Sequence, residues 1–342
     1  MKLFVIGAES KYAIERYYME GFLKYLQPED INFFPAQNMF YTYYNTSFLH
    51  KIFFRLGLSG IYDRINEKVL DNIAVFNPDV VFVFKGMEIY PNTLEKIKEK
   101  GIKLVNYNPD NPFIFSGKGS GNANITKSIA LYDVHFTYSQ TIKKEIECTY
   151  GIKTCILPFG FSIDEDLYAS LSEIQEVKKV CFLGNPDKYR AQLISELANL
   201  GLKIDIYGHR WHTYLIHANV TIFPAVYEDE MWTVLRKYRV QLNYMRPHNL
   251  DAHNMRTFEI PAIGGIQVAP DTPDHNRYFE NGKNIFLYKN VLECYNICNI
   301  LLEKDTNEIN KIRISARDTS ILEKYSYLER ASYAYNVVKQ MF

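Results

Sequence analysis

The feature that most constrains this chain is an alternation that runs through it twice. Short, continuously apolar runs are separated by longer segments whose apolar residues recur at helical spacing. A run that is apolar at every position, instead of every second one, belongs to a strand covered on both faces. That is the situation of a parallel sheet between layers of helices. In the first half the runs are "KLFVIG" (Lys2–Gly7), "INFFP" (Ile31–Pro35), "DVVFVFK" (Asp79–Lys85), "KLVNY" (Lys103–Tyr107), "VHFTY" (Val134–Tyr138) and "CILP" (Cys155–Pro158). Segments of helical period such as Tyr12–Leu26, Thr93–Lys100 and Gln140–Tyr150 lie between them, so the expected fold class is α/β with a doubly wound parallel sheet.

The alternation stops at "SIDEDLYASLSEIQEVKK" (Ser162–Lys179), which is polar, acidic and without a long apolar period. It restarts with "KVCFLG" (Lys179–Gly184), "KIDIYG" (Lys203–Gly208), "VTIF" (Val220–Phe223), "VQLNY" (Val240–Tyr244), "IQVA" (Ile266–Ala269) and "NIFLY" (Asn284–Tyr288). The chain of 342 residues is long enough for two cores. Two tandem Rossmann-like domains are therefore predicted. Residues 1–165 form the first, 166–178 the linker and 179–318 the second, while the helical end 319–342 packs back on the first domain. Ligands in such sheets bind at the carboxyl ends of the strands, so an inter-domain cleft is the expected site.

Charge and cysteine content narrow the partners. Lys plus Arg and Asp plus Glu both number 39, so no net field draws the chain onto nucleic acid. No apolar run approaches the roughly 18 residues of a membrane span. The opening "MKLFVIGAESK" has an apolar part too short for a secretory signal and is followed by Glu9 and Lys11, so it reads as a first strand. Cys148, Cys155, Cys181, Cys294 and Cys298 complete no metal cluster and are expected as reduced thiols of a cytoplasmic protein. One segment, "NMFYTYYNTSFLHKIFFRLGLSG" (Asn38–Gly60), mixes aromatic residues with His50, Lys51 and Arg55. It reads either as an interfacial helix making peripheral contact with the inner face of a membrane, or as a helix under the first sheet or a lid.

Candidate chemistry gathers at strand ends in the second half. "KVCFLG" ends at Gly184 and is followed by Lys188 and Arg190; "KIDIYG" ends at Gly208 and is followed by His209, Arg210 and Trp211. "VQLNY" leads to Arg246 and a polar loop that closes at Asn254 before "MRTFEIPAIGG". Glycine admits close backbone approach, and a helix start favours an anion. Arg256 in the first turn opposes the helix dipole unless an anionic ligand binds there, and Glu259 could accept hydrogen bonds from ribose hydroxyls. The plain alternative is that Arg256 pairs with Asp251 or Glu259. Equally plain readings make Gly264–Gly265 a helix stop, His209 a surface residue and Trp211 a core anchor.

"NMRTFEIPAIGG", with "YFENGKNIFLY" (Tyr278–Tyr288) downstream and "CFLGNPDKYRAQLISEL" upstream, resembles the donor-binding domain of GT-B glycosyltransferases, closest to the spore-maturation (CgeB-like) branch. That branch shows an Arg-x-Phe-Glu and a later Phe-x-x-Gly. "GIKLVNYNPDNPF" (Gly101–Phe113) and "YDVHFTYSQ" (Tyr132–Gln140) fit its first domain. The resemblance implies transfer of a sugar (hexosyltransferase class) from a nucleotide-diphosphate sugar, UDP- or GDP-linked, to a carbohydrate, protein or lipid-linked acceptor, with no tightly bound cofactor and no metal. It also implies an acidic pair: Glu259 for the ribose and Asp251, eight positions earlier, near the transferred sugar, where retaining families carry Glu. Lys188 and Arg190 would face the diphosphate, and Arg256 would either bind phosphate or order the loop. The acceptor would sit near Gly7–Tyr12 and "NPDNPF", with Asp110 as base or acceptor contact, unless Asp110 merely caps a turn. Retention or inversion at the anomeric carbon stays open. The alternatives are a nucleotide-sugar epimerase of the same fold and a non-catalytic nucleotide- or sugar-binding protein.

Overall fold

The computed structural model describes residues 1–10, 13–115, 120–246 and 251–342, and the chain divides into two units. The first comprises Met1–Pro158 together with Tyr327–Phe342, and the second Phe159–Ser326. Tyr12 and positions 247–250 of the loop that closes at Asn254 lie outside the described residues.

In the first unit the strands are β1 (Leu3–Ile6), β2 (Ile31–Phe34), β3 (Val80–Phe84), β4 (Lys103–Asn108), β5 (Val134–Thr137) and β6 (Lys153–Ile156). They form one parallel sheet in the order β2-β1-β3-β4-β5-β6. Every residue of "VVFVF" in β3 is buried, because helices cover both faces. The order reverses between β1 and β3, which places a crevice at their carboxyl ends. Helix Tyr327–Lys339 belongs to this unit and lies against helix Glu15–Phe22. A Cβ on Gly21 would stand 2.3 Å from that of Ala331, so the two backbones meet at glycine. Tyr17 stacks on Tyr327 at 5.1 Å between centroids, and Tyr25 stacks on Tyr335 at 4.6 Å.

In the second unit the strands are β7 (Val177–Leu183), β8 (Ile204–Tyr207), β9 (Val220–Phe223), β10 (Tyr238–Leu242), β11 (Gln267–Pro270) and β12 (Phe286–Tyr288). They are parallel in the order β12-β11-β10-β7-β8-β9, the nucleotide-binding strand order, with its reversal between β7 and β10. Val180, Phe182, Ile204, Ile206, Val240, Leu242 and Val268 supply the strand side of its core, packed on Ile194, Leu197, Cys294 and Cys298 from helices.

The acidic stretch expected as a linker at 166–178 lies inside the second unit. Asp164 accepts from the backbone N–H groups of Asp166 and Leu167 and caps helix Glu165–Ser170. Glu165 pairs with Arg317, and Glu176 with both Arg239 and Arg313. Burial pulls the Glu176 carboxyl up, but the two guanidinium groups outweigh it and hold it below its ordinary value. Two carboxylates of what reads as a solvated run, Glu165 and Glu176, thus have cationic partners far away in sequence. The helix expected to begin at 319 is in fact the end of helix Thr306–Leu322, and a turn with Lys324 at φ 58° separates it from the last helix.

Candidate functional site

At the reversal in the second unit, β7 runs into Gly184, and Asp187 caps helix Lys188–Asn199 by accepting from the Arg190 N–H at 2.9 Å. The Arg190 side chain turns inward over the Phe182 ring. It donates to the Asn185 carbonyl at 3.1 Å and to the Tyr244 carbonyl at 2.8 Å, tying the loop after β7 to the loop after β10. Burial first, and then the like charge of Arg246, lower its pKa to about 10; Asp187 opposes them and Arg256 adds to them. The sequence therefore brings three guanidinium groups, Arg190, Arg246 and Arg256, to one end of the sheet. Lys188 is exposed beside them in the first turn of its helix.

Gly208 answers a packing demand. A Cβ there would stand 2.2 Å from the Gly184 carbonyl oxygen and 2.8 Å from Trp211 Nε1, which donates to that same oxygen at 2.8 Å. Trp211 is the core anchor. His209 is exposed and pairs with the Tyr227 hydroxyl at 2.9 Å.

Asn254 is occupied by its own backbone surroundings. Its Oδ1 accepts from the Thr257 N–H at 3.2 Å, while the Asn254 N–H donates to Thr257 Oγ1 at 3.3 Å, a reciprocal pair of bonds at the entry to helix Arg256–Ala262. Its Nδ2 donates to Asn243 Oδ1 at 2.7 Å. Arg256 forms an ion pair with Glu259, which is the plain alternative anticipated above. Glu259 is buried, and Arg256 Nε has no hydrogen-bond partner. Asp251 is exposed at the near end of the same loop. Gly264, at φ +69°, stops the helix.

Beneath this end lies a buried polar layer that the sequence did not announce. Thr257 Oγ1 meets Asn243 Nδ2 at 3.2 Å and His275 Nε2 at 3.1 Å, and His275 Nδ1 donates to the Pro270 carbonyl at 2.7 Å. Next to it, His253 Nε2 accepts from the Phe159 N–H at 3.3 Å, so Nδ1 carries the proton and donates to Asp274 at 2.7 Å. A separate cavity of about 260 Å³ opens at the ends of β10, β11 and β12, lined by Tyr189, Met245, Pro270, Asp271 and Tyr288 among others.

Asp110 lies in the first unit. Its carboxylate takes the Lys85 ammonium at 2.7 Å, and its N–H donates to Asn108 Oδ1 at 3.0 Å. Lys85 is held at φ 60°, next to Gly86 at φ 92°.

Comparison with known proteins agrees with this architecture. A family model described as "Glycosyl transferase-like" matches residues 190–335. A search of curated protein sequences found no match. The chain superposes along its length on sucrose-phosphate synthase from Thermosynechococcus elongatus (TM-score 0.70, 10% identity, 100% of this chain and 99% of that one). It is also similar to HepE from Anabaena in complex with UDP (TM-score 0.65, 15% identity, 99% and 100% covered). A third similar structure is a UDP-forming α,α-trehalose-phosphate synthase from Burkholderia xenovorans (TM-score 0.64, 11% identity, 98% of each chain). At these identities the likeness shows the fold, which is GT-B: two Rossmann-like domains in one chain.

Proposed function

We propose that this chain is a glycosyltransferase moving a hexose from a nucleotide-diphosphate sugar to an acceptor hydroxyl. The observation that carries the reading is the group of three guanidiniums, Arg190, Arg246 and Arg256, at the β7/β10 reversal inside the region that matches a glycosyl transferase-like family. The bond from the anomeric carbon to the diphosphate oxygen breaks, the bond to the acceptor oxygen forms, and the acceptor's hydroxyl proton passes to the departing diphosphate. Charge grows on the departing diphosphate, and fixed cations at strand ends stabilise it. On this reading Lys188, Arg190 and Arg256 face the diphosphate. Glu259 turns from Arg256 to the ribose, and Asp251 lies toward the sugar in the position that retaining enzymes fill with Glu. Gly184 and Gly208 keep the strand ends low beneath the ligand. Asp110, held by Lys85, is the acceptor contact of the first unit. The Arg-x-Phe-Glu and Phe-x-x-Gly motifs support affiliation with the spore-maturation branch.

UDP is the first nucleotide to test, because HepE was solved with it and the Burkholderia enzyme is named for forming it. Calorimetry with UDP and GDP, followed by incubation with their sugars, decides the matter. Binding followed by transfer or release of free nucleotide is expected. An isomerised donor sugar would make the protein an epimerase, and no nucleotide binding at all would leave a non-catalytic protein on this fold.

A peripheral membrane contact is supported by a specific surface. Helix Phe48–Arg55 buries none of its residues, and Phe48, Leu49, Phe53, Leu56 and Leu58 stand exposed, Phe48 at 72% and Leu58 at 70%. Lys51 and Arg55 sit among them, and no acidic residue occurs between Asp30 and Asp63. Apolar side chains ringed by cations suit the inner, anionic face of a bilayer. Among the described residues no helix is long and apolar enough to cross one. Flotation with phosphatidylserine vesicles should lift the protein; recovery only from the bottom fraction would remove this contact.

A further inference from the structure

The crevice at the carboxyl ends of β1 and β3 in the first unit is a cavity of about 260 Å³, near the lower end of the range for small-molecule pockets. Its described lining carries three carboxyl groups, Glu15, Glu88 and Asp110, against one ammonium, Lys85. That ammonium is already committed to Asp110 at 2.7 Å. Among the described residues the lining therefore holds two carboxyl groups more than it holds cations.

The two extra carboxyls are built in. Glu15 accepts from the Ala8 N–H at 3.0 Å, and its chain occupies the space a Cβ on Gly7 would need, 2.7 Å from Glu15 Cγ. Glu88 is 6% exposed and lines the cavity. Among the described residues, the hydrogen bond to its carboxyl comes from its own backbone amide. Its main chain is fixed separately, since Asn66 Nδ2 donates to the Glu88 carbonyl at 2.9 Å and Asn66 Oδ1 accepts from the Tyr90 N–H at 2.9 Å. Burial is the main cause that lifts the Glu88 carboxyl to about 7, with Lys85 opposing and Glu15 adding to it. Burial also raises Glu15, while the Ala8 amide and Lys85 work against it. Ionising an acid buried away from a cation is costly, and a cationic ligand beside it offsets that cost.

We propose that this cavity binds the protonated amine of a small polar ligand of about monosaccharide size, with Glu88 and Glu15 as its counter-charges. A neutral hydroxyl would leave the two carboxyls facing each other, and an anion would meet three acids against one lysine. An ammonium offsets one of the two extra carboxyls and offers three donors to the pair. Read together with the transferase proposal, on which only the choice of probe rests, the acceptor is an amino sugar.

The test uses the full chain without nucleotide and follows titrations with glucosamine, N-acetylglucosamine and glucose by saturation-transfer NMR and calorimetry. Glucosamine should bind at least about tenfold more tightly than the other two, the order of effect expected for a desolvated charge pair. Glu88→Gln should erase that preference while leaving UDP binding in the second unit unchanged. Equal affinity for the amine and its neutral analogues would overturn the proposal, as would a Glu88→Gln protein that keeps the preference. The wild-type comparison decides the question even if the variant does not fold. No donor is present, so failure here is distinct from failure of the transferase reading.

Discussion

Lowering the pH should loosen the second unit at one identifiable histidine. His275 is fully buried, and its Nδ1–H is spent on the Pro270 carbonyl, so Nε2 must act as acceptor toward the Thr257 hydroxyl. Protonation would add a hydrogen at Nε2 pointing at Thr257 Oγ1, which already receives from Asn254 N–H and Asn243 Nδ2. The imidazolium has nowhere to place that proton. Burial is the largest cause that lowers the His275 pKa from 6.5 to about 4, aided by His253 and opposed by the Pro270 carbonyl and two aspartates. Because the folded value lies below the unfolded one, the contribution is complete above about pH 6.5. It is lost as pH falls and is exhausted near 4. At about 1.36 kcal/mol for each tenfold change in proton affinity, the loss approaches roughly 3 kcal/mol. Urea unfolding of the second unit, followed between pH 7.5 and 4.5, should show that decline. His275→Asn keeps a donor toward Pro270 but cannot titrate, so its profile should be flatter over the same interval by about the same amount. Parallel profiles for the two proteins, or an NMR titration of His275 centred near 6.5, would refute the reasoning.

Other outcomes follow from the same site. Glu259→Ala should weaken UDP binding by about tenfold or more, and unchanged affinity in calorimetry would remove the ribose role. Gly208→Ala forces a methyl against the Gly184 carbonyl and breaks the Trp211 bond, so it should cost about 1–3 kcal/mol in thermal unfolding. A melting temperature equal to wild type would show that the strand ends can part. Transferase activity should survive EDTA, because the diphosphate charge is assigned to guanidiniums; a strict need for Mg²⁺ or Mn²⁺ would contradict that assignment.

Every strand was legible because each is a local signal. "VVFVF" declares itself by being apolar where a solvated segment would alternate. The strand ends, and hence the places where Gly184, Arg190 and Arg256 gather, followed from that. Pairing between distant residues was not legible. Glu176 looks solvated until Arg239 and Arg313 arrive from 63 and 137 positions away. Arg190 looks like a surface cation at a helix start, yet its guanidinium closes on the Tyr244 carbonyl, 54 positions on. Glu88 sits in an unremarkable "GMEIY", and only the fold reveals that the β1 and β3 ends bury it. Thr257 and His275 carried no periodicity or motif that could have joined them. The Arg256–Glu259 pair was legible as one of two options, and the structure shows the plainer one.

The return of the last helix to the first unit has a consequence for synthesis. Residues 1–158 leave the ribosome well before Tyr327–Phe342 are made, and all of the second unit is translated in between. Throughout that interval Tyr17 and Gly21 on the early helix, and Tyr25 just beyond it, have no Tyr327, Ala331 or Tyr335 to cover them. The nascent protein is thus obliged to carry an uncovered aromatic strip until its final turns emerge. A ribosome stalled just short of Tyr327 should display that strip to a chaperone, while a chain released after Phe342 has been added should hide it.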